Sequence, residues 1–335
     1  LKALMVDQVK QLKEIKGYKK VAYINSDITV IQREDIINDI SNGEIDILYM
    51  APELLLSYDI SYFLNGRRLG LYIVDEAHTV STWGRDFRID YWYLGYHINR
   101  VRKYALNIEG EKMKFPVVAV TATAPYGSIH DVAFETMSSL QMNAPIKYIG
   151  YAKRHDIIFA INHVNIDGNL QTQKINMTVD RIREFENSAK KTIIYCPFTT
   201  QVNAISIQAR NENLNVYSYS GNMDVADQKE SYEHFRDEQI VTMAATKAFG
   251  MGVDIDDVSC VYHLAPTGLL TDYIQEIGRA ARKENVVGTA AVDYSTRDFQ
   301  FINQLHGLGK MHNWQLKEVM RRLVRLYNDT GQQNH

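Results

Sequence analysis

The chain has 335 residues, with 37 basic against 40 acidic, a formal charge of −3, and 45% apolar and 23% charged positions. That length accommodates two ordinary domains with full cores, and the charge balance excludes a surface that is polycationic as a whole, so any nucleic-acid binding has to be local. No apolar run reaches the about 18 residues of a membrane-spanning helix, and Leu-Lys-Ala-Leu-Met-Val-Asp-Gln at the start has neither the apolar core nor the cleavage site of a signal peptide. The expected location is therefore cytoplasmic, or nuclear in a eukaryote, with no membrane partner.

Short apolar runs at 21–25, 45–50, 69–74 and 116–121 read as strands of a first unit. Runs at 157–162, 192–196, 215–219, 240–245, 258–263 and 288–294 read as strands of a second. Helical patterns fall between them at 30–41, 127–140, 176–188, 199–211, 225–236 and 269–282. Continuous apolar strands alternating with helices predict an α/β fold of parallel sheets flanked by helices. The break is placed near 143–156, giving domains 1–150 and 151–305, with 163–175 a polar loop. Residues 306–335 contain one amphipathic helix over 311–328. Cys196 and Cys260 lie in strand-like runs without a CxxC pair, which predicts two buried reduced thiols and no zinc site.

The densest chemistry is at residues 71–91, where an apolar strand runs into Asp75-Glu76-Ala77-His78 and then a loop with Trp83, Phe87 and Arg88. A carboxylate pair at the C-terminal end of a strand is where open α/β sheets place ligand chemistry. Asp75 suits Mg²⁺, a hard cation that takes oxygen ligands, and Glu76 suits orienting or deprotonating an attacking water. In the second unit, Gly250, Gly252 and Asp254 follow a strand. They form either an ordinary glycine turn or a close backbone approach to a ligand with a carboxylate beside it. Gln275, Gly278, Arg279 and Arg282 recur at three- and four-residue steps on a predicted helix. They make either a solvated face or a site where two guanidinium groups meet a polyphosphate.

Taken in order, these segments resemble the superfamily 2 DEAH-box helicases, and most closely the RecQ-type DNA helicases. Leu4 to Val9 resembles motif Ia of that family, Asn25-Ser26 with Gln32 the segment after it, and Tyr49 to Glu53 motif Ib. Asp75 to His78 resembles motif II, Thr79 to Tyr91 the aromatic-rich loop, and Thr121-Ala122-Thr123 motif III. Arg154 to Ile157 stands where the family enters its second domain. Ile193 to Cys196 resembles motif IV, Ala245 to Asp254 motif V and Gln275 to Arg282 motif VI.

The resemblance implies two RecA-like domains that clamp ATP and Mg²⁺ and move on DNA with 3′-to-5′ polarity. Asp75, Glu76, Gln275, Arg279 and Arg282 would be catalytic, Asp75 holding Mg²⁺ and the arginines serving as fingers in cis. Asp75, His78, Gly250, Gly252, Asp254 and Gly278 would bind nucleotide. Gln8, Asn25, Pro52, Trp83, Phe87, Arg88 and Thr246 would meet DNA, and Thr121 and Thr123 would couple the two events. A double-strand translocase within a larger multidomain or multi-subunit machine is the alternative, and a non-hydrolysing nucleic-acid-binding module is the alternative of another class.

Two departures stand against the pattern. No GxxxxGK[ST] phosphate loop occurs, Gly309-Lys310 being followed by Met311, and residues 300–335 hold no cysteine for the family's zinc module. The expectation is a chain cut within motif Ia, with the first domain N-terminally truncated and ATP hydrolysis weak by itself. Ala281 replaces a more usual Gly, and Arg85 and Ile89 replace a usual His and Pro.

Overall fold

Ten strands and ten α-helices alternate along the described residues of the computed structural model, which are 2–80, 89–107, 109–124, 127, 131–150, 154–250, 255–282, 286–300, 302 and 321. The first half contributes α1 (Lys2–Glu14), β1 (Val21–Ile24), α2 (Val30–Ser41), β2 (Ile47–Met50), α3 (Pro52–Leu56), α4 (Ile60–Leu64), β3 (Tyr72–Val74), α5 (Ile89–Tyr104), β4 (Val117–Ala119) and α6 (Val132–Ser139). The second half contributes β5 (Ile157–His163), α7 (Leu170–Asn187), β6 (Thr192–Tyr195), α8 (Thr199–Asn211), β7 (Val216–Tyr219), α9 (Val225–Asp237), β8 (Thr242–Ala245), β9 (Cys260–His263), α10 (Leu270–Ile277) and β10 (Gly288–Tyr294). Every strand pair is parallel.

In the second half the six strands form one sheet in the order β5-β10-β9-β6-β8-β7. Strand alternation assigns its faces. Ile193, Tyr195, Met243 and Ala245 pack with Phe235, Phe249 and Ile277 on one side. Ile194, Cys196, Ala244 and Tyr262 pack with Val179, Ile182, Val202 and Ile205 on the other. Both cysteines are buried and free, and burial pushes the Cys260 thiol up to about 12. In the first half the described strands form two separate pairs, β1–β2 and β3–β4, around a core that includes Ile24, Phe63, Val74, Leu94 and Ile98.

All ten strand positions were visible in the apolar runs, and 30–41 and 199–211 match α2 and α8. Thr29 and Gln32 explain the former start: they form a reciprocal capping box that closes two orphan donors. The segment 163–175 is not a loop throughout. Asn169 accepts from the Thr172 amide at 3.1 Å and starts α7 at Leu170, six residues before the predicted start. The predicted helix 127–140 begins only at Val132, where Asp131 caps the Phe134 amide. The helix 269–282 stops at Ile277, and Gly278 to Ala281 form a turn. The amphipathic helix 311–328 lies outside the described residues except Arg321, which is helical and exposed. No described helix is long and apolar enough to cross a membrane.

Candidate active site between two lobes

Parallel strands end together, and this brings the predicted carboxylates to the predicted threonines. Val74 is in register with Ala119, the Val120 amide donates to Val74 O and the Ala77 amide donates to Val120 O, each at 2.9 Å. Asp75 and Glu76 thus leave β3 beside Thr121 and Thr123. Glu76 has φ of 49°, in the left-handed region, where a non-glycine residue costs about 1–3 kcal/mol. Its surroundings hold it there: Asp75 Oδ1 accepts the Glu76 amide at 2.8 Å, and Thr79 donates to Glu76 O through both its amide and its hydroxyl.

Gln275, on α10 of the second half, reaches across to this set. Its Nε2 donates to His78 Nε2 and to Thr123 Oγ1, both at 3.0 Å. With His78 Nε2 accepting, the imidazole proton sits on Nδ1. That atom is 2.9 Å from Thr121 Oγ1 and 3.3 Å from Glu76 Oε2. Thr121 Oγ1 in turn accepts the Thr123 amide at 3.2 Å. The His78 bond holds the Glu76 carboxyl below the usual range; burial pushes it up, and the charges of His78 and Arg279 add to the lowering. Residues 197 positions apart in sequence therefore share one hydrogen-bonded chain.

Arg279 is buried and Arg282 exposed, so the two do not share a helix face as their spacing suggested. The turn that follows α10 separates them. Arg154 fixes this turn by donating from Nη2 to Ala280 O at 2.9 Å and to Ala281 O at 3.0 Å while gripping Asp156 through two bonds of 2.8 Å. The Ala281 amide donates to Val258 O at 3.0 Å, and these bonds over-determine a φ of 55° at Ala281. A Cβ on Gly288 would fall 2.8 Å from Ala280 Cβ, so that glycine lets β10 start beneath the turn.

Behind Arg279 stand Tyr195, whose hydroxyl is raised first by burial and opposed by the Arg279 charge, and the buried pair His263–Glu276 at 2.8 Å. Gly250 faces it too: a Cβ there would come within 2.9 Å of Lys247 O and 3.5 Å of Arg279 Nη2. Gly278 caps α10 and would place a Cβ 2.9 Å from Ile274 O. Tyr195, Gly250 and Glu276 fell within predicted motifs, whereas His263 and Gly288 were not singled out. A His and a Glu in separate elements carry no spacing signal.

Four further predicted residues have other surroundings or partners in the fold. Gln8 is half-buried on α1. Asn25 is buried and accepts the Asp27 amide at 2.9 Å, a turn-forming bond at the end of β1. Pro52 is buried at the first position of α3. Thr246 is half-buried just past β8, its amide bonded to Tyr219 O. Trp83, Phe87, Arg88, Gly252 and Asp254 lie outside the described residues.

The donor set suits a divalent cation bound through phosphate. Glu76 Oε2 is a buried carboxylate oxygen 3.3 Å from His78 Nδ1, and Asp75 supplies a second carboxylate next to it. No group of three or more ligand side chains occurs among the described residues. Mg²⁺ habitually takes one or two carboxylates and completes its shell with water and substrate phosphate.

Comparison with known proteins covers the same ground. Residues 1–132 match the DEAD/DEAH box helicase family and residues 173–284 the helicase conserved C-terminal domain. An ATP-dependent DNA helicase RecQ from Haemophilus influenzae is 27% identical over 308 residues, covering 90% of this chain and 45% of that protein. The probable ATP-dependent DNA helicase RecS of Bacillus subtilis is 29% identical over 326 residues, covering 96% and 60%. The chain thus spans about half the length of the curated relatives it matches. The solved structure of the DUF1998 helicase MrfA bound to DNA and AMPPNP superposes with a TM-score of 0.65 at 17% identity, over 91% of this chain and 42% of that one, a likeness of fold.

Proposed function

Because the chain belongs to the RecQ-like helicases of superfamily 2, we propose that it is the motor core of an ATP-dependent DNA helicase, with a RecA-like domain over 1–150, a second over 151–305 and a C-terminal helix over 306–335. The observation that carries this reading is the Gln275 amide held by His78 and Thr123 of the other lobe, with Arg279 close enough to act on the Glu76 carboxyl. One crevice then contains acid, amide and guanidinium groups, which is what phosphoryl transfer asks of a protein.

The roles follow from position. Asp75 and Glu76 would hold Mg²⁺ and its water, and the ion supplies charge neutralisation between phosphate oxygens. Glu76, kept ionised at neutral pH, accepts a proton from the attacking water. Arg279 is presented by Tyr195 and Gly250 toward developing negative charge, a contribution worth about 10³ to 10⁵ in turnover for such arginines. Arg282, exposed at the end of the turn, reaches the same phosphates on lobe closure. Gln275 reports lobe closure to Thr123 and His78, so nucleotide state and domain position are coupled. Gly250, Gly252, Asp254 and Gly278 line the nucleotide side. Gln8, Asn25, Pro52, Trp83, Phe87, Arg88 and Thr246 lie on the DNA path, and movement runs 3′ to 5′. The 335 residues hold no Gly-Lys-Ser/Thr loop; the Lys and amide cradle of such a loop carry much of β/γ-phosphate binding, so these residues alone hydrolyse ATP weakly.

Substituting Glu76→Gln in the protein that carries these residues tests the reading. Nucleotide and DNA binding should persist while DNA-stimulated ATP turnover falls at least about 100-fold. Turnover unchanged by this substitution would leave a binding module in place of a motor.

A further inference from the structure

The face of α5 turned away from the core is not used by any step above. Leu94, His97, Ile98 and Val101 bury one side of this helix, and Gly95 lies so close to α6 that a Cβ would meet Ser139 O at 2.0 Å. The opposite side carries Tyr93, Tyr96, Arg100, Lys103 and Tyr104. At 100° per residue these five fall within a stripe about 100° wide, and from Tyr93 to Lys103 it is about 15 Å long. The tyrosines are 56%, 63% and 66% exposed, Arg100 and Lys103 are exposed as well, and Lys103 Nζ stands 5.1 Å from the Tyr104 ring centroid.

Such a face is unlike an ordinary solvated helix. Three large rings stand in water, interleaved with two cations, on a chain whose overall charge is −3. The acidic groups near it are few. Asp59, the N-cap of α4, feels Arg100 and His97, but its carboxylate is already engaged by the Ser61 amide and hydroxyl. Asp90 sits half-buried in the first turn, and Glu135 is half-buried on α6. Aromatic faces alternating with Lys and Arg are the chemistry of a platform for unpaired bases, rings stacking on the bases and cations meeting the phosphates.

Its place in the fold points the same way. The helix begins at Ile89, directly after Arg88 of the aromatic loop, and packs against α3, which starts at Pro52. We infer that the exposed stripe of α5 is an additional single-stranded DNA contact, extending the path from the aromatic loop over a further two or three nucleotides. This rests on the proposed DNA path through Pro52 and residues 79–88, and it adds a site that the path itself does not require. Stacking needs rings but no hydroxyls, so Tyr93 and Tyr96 are replaceable by Phe. The cations contribute through counterion release, with a slope of about −0.7 in log K per log salt for each phosphate contact on a single strand.

The test is fluorescence anisotropy of the full 335-residue chain with a labelled oligothymidylate of about 20 nucleotides. Tyr93→Ala with Tyr96→Ala should weaken binding at least about 5-fold, the low end for losing one stacked base, while Tyr93→Phe with Tyr96→Phe keeps full affinity. Arg100→Gln with Lys103→Gln should reduce the salt slope by about 1 to 1.5. Affinity and salt slope unchanged in the alanine and glutamine pairs, with the wild-type chain binding normally, would overturn the stripe and leave the loop path standing. Loss of self-association in place of oligonucleotide binding would make the face a protein interface, also against the inference. A wild-type chain that does not bind the oligonucleotide would remove the DNA path and the stripe together.

Discussion

The two halves of the molecule are built from the same βα alphabet to different degrees of closure. In the second half, β6, β8 and β9 are buried at every position and one six-stranded sheet has a core on both faces. In the first half, the described strands make two separate pairs, and apolar residues on them face outward: Ile73 is 58% exposed and Val118 41%. A parallel strand is stabilised by neighbours on both edges and layers on both faces. The second half has these and acts as a rigid seat for Arg279. The first half holds Glu76 and His78 by local bonds at the ends of only two short strands. Rigid donor and more compliant acceptor meet through Gln275, which is a suitable arrangement for turning nucleotide chemistry into relative motion.

The sharpest way to break this contrast is to delete equivalent apolar volume on each side. Ile193→Ala, at a fully buried centre of β6, should cost about 3–4 kcal/mol in chemical denaturation. Ile73→Ala, mostly exposed, should stay within about 0.5 kcal/mol. Equal losses at the two positions would erase the distinction. Next comes the polar seam of the larger sheet. Burial pushes the Asp293 carboxyl up, yet bonds from Arg181, Asn162 and Tyr262 outweigh this and hold it below the ordinary carboxylate range. Because the folded-state value is depressed, this contribution is complete above about pH 4, the unfolded carboxylate value, and is lost as pH falls through the lower folded one. Asp293→Asn should therefore cost about 3 kcal/mol at neutral pH and flatten the acid limb of a stability–pH curve. An unaltered acid limb would count against the seam.

Smaller effects probe how the seat presents its arginine. Gly250→Ala puts a Cβ against Lys247 O and the Arg279 guanidinium, and should lower kcat about tenfold, or about 1.4 kcal/mol, with little change in nucleotide KM. A KM effect alone would place Arg279 in ground-state binding. Smallest is Ala281→Gly. Relief of a left-handed alanine gains about 1–2 kcal/mol and the freer unfolded chain returns part of it, so a net stabilisation of about 0.5–1 kcal/mol should appear as a raised Tm. A lowered Tm would mean that the turn at φ of 55° is not strained.

Most of the strand framework was legible because a strand buried on both faces is a continuous apolar run, as in Ile193 to Cys196. Element ends were less so. The start of α7 depends on one Asn169 side chain, and the end of α10 depends on Gly278 and on carbonyls drawn to Arg154, a residue more than a hundred positions away. The site was half legible. Spacing marked Asp75, Glu76, Gln275 and Arg279, but it treated 275–282 as a regular helix and so put Arg282 on the same face as the buried Arg279. The capture of Gln275 by His78 and Thr123, the His263–Glu276 pair and the fit of Gly288 under the turn arise from tertiary contact, which no local pattern encodes. The aromatic stripe of α5 was hidden for another reason: α5 itself was not among the helices read from the periodicity.

The most direct test of a shared site is a double-mutant cycle on His78→Ala and Gln275→Ala, measured by DNA-stimulated ATP turnover in the protein that carries these residues. Direct contact across the lobes should give a coupling energy of about 1 kcal/mol or more, each substitution losing most of its effect in the presence of the other. Effects that add to within about 0.3 kcal/mol would contradict it, leaving the two lobes to act on nucleotide independently.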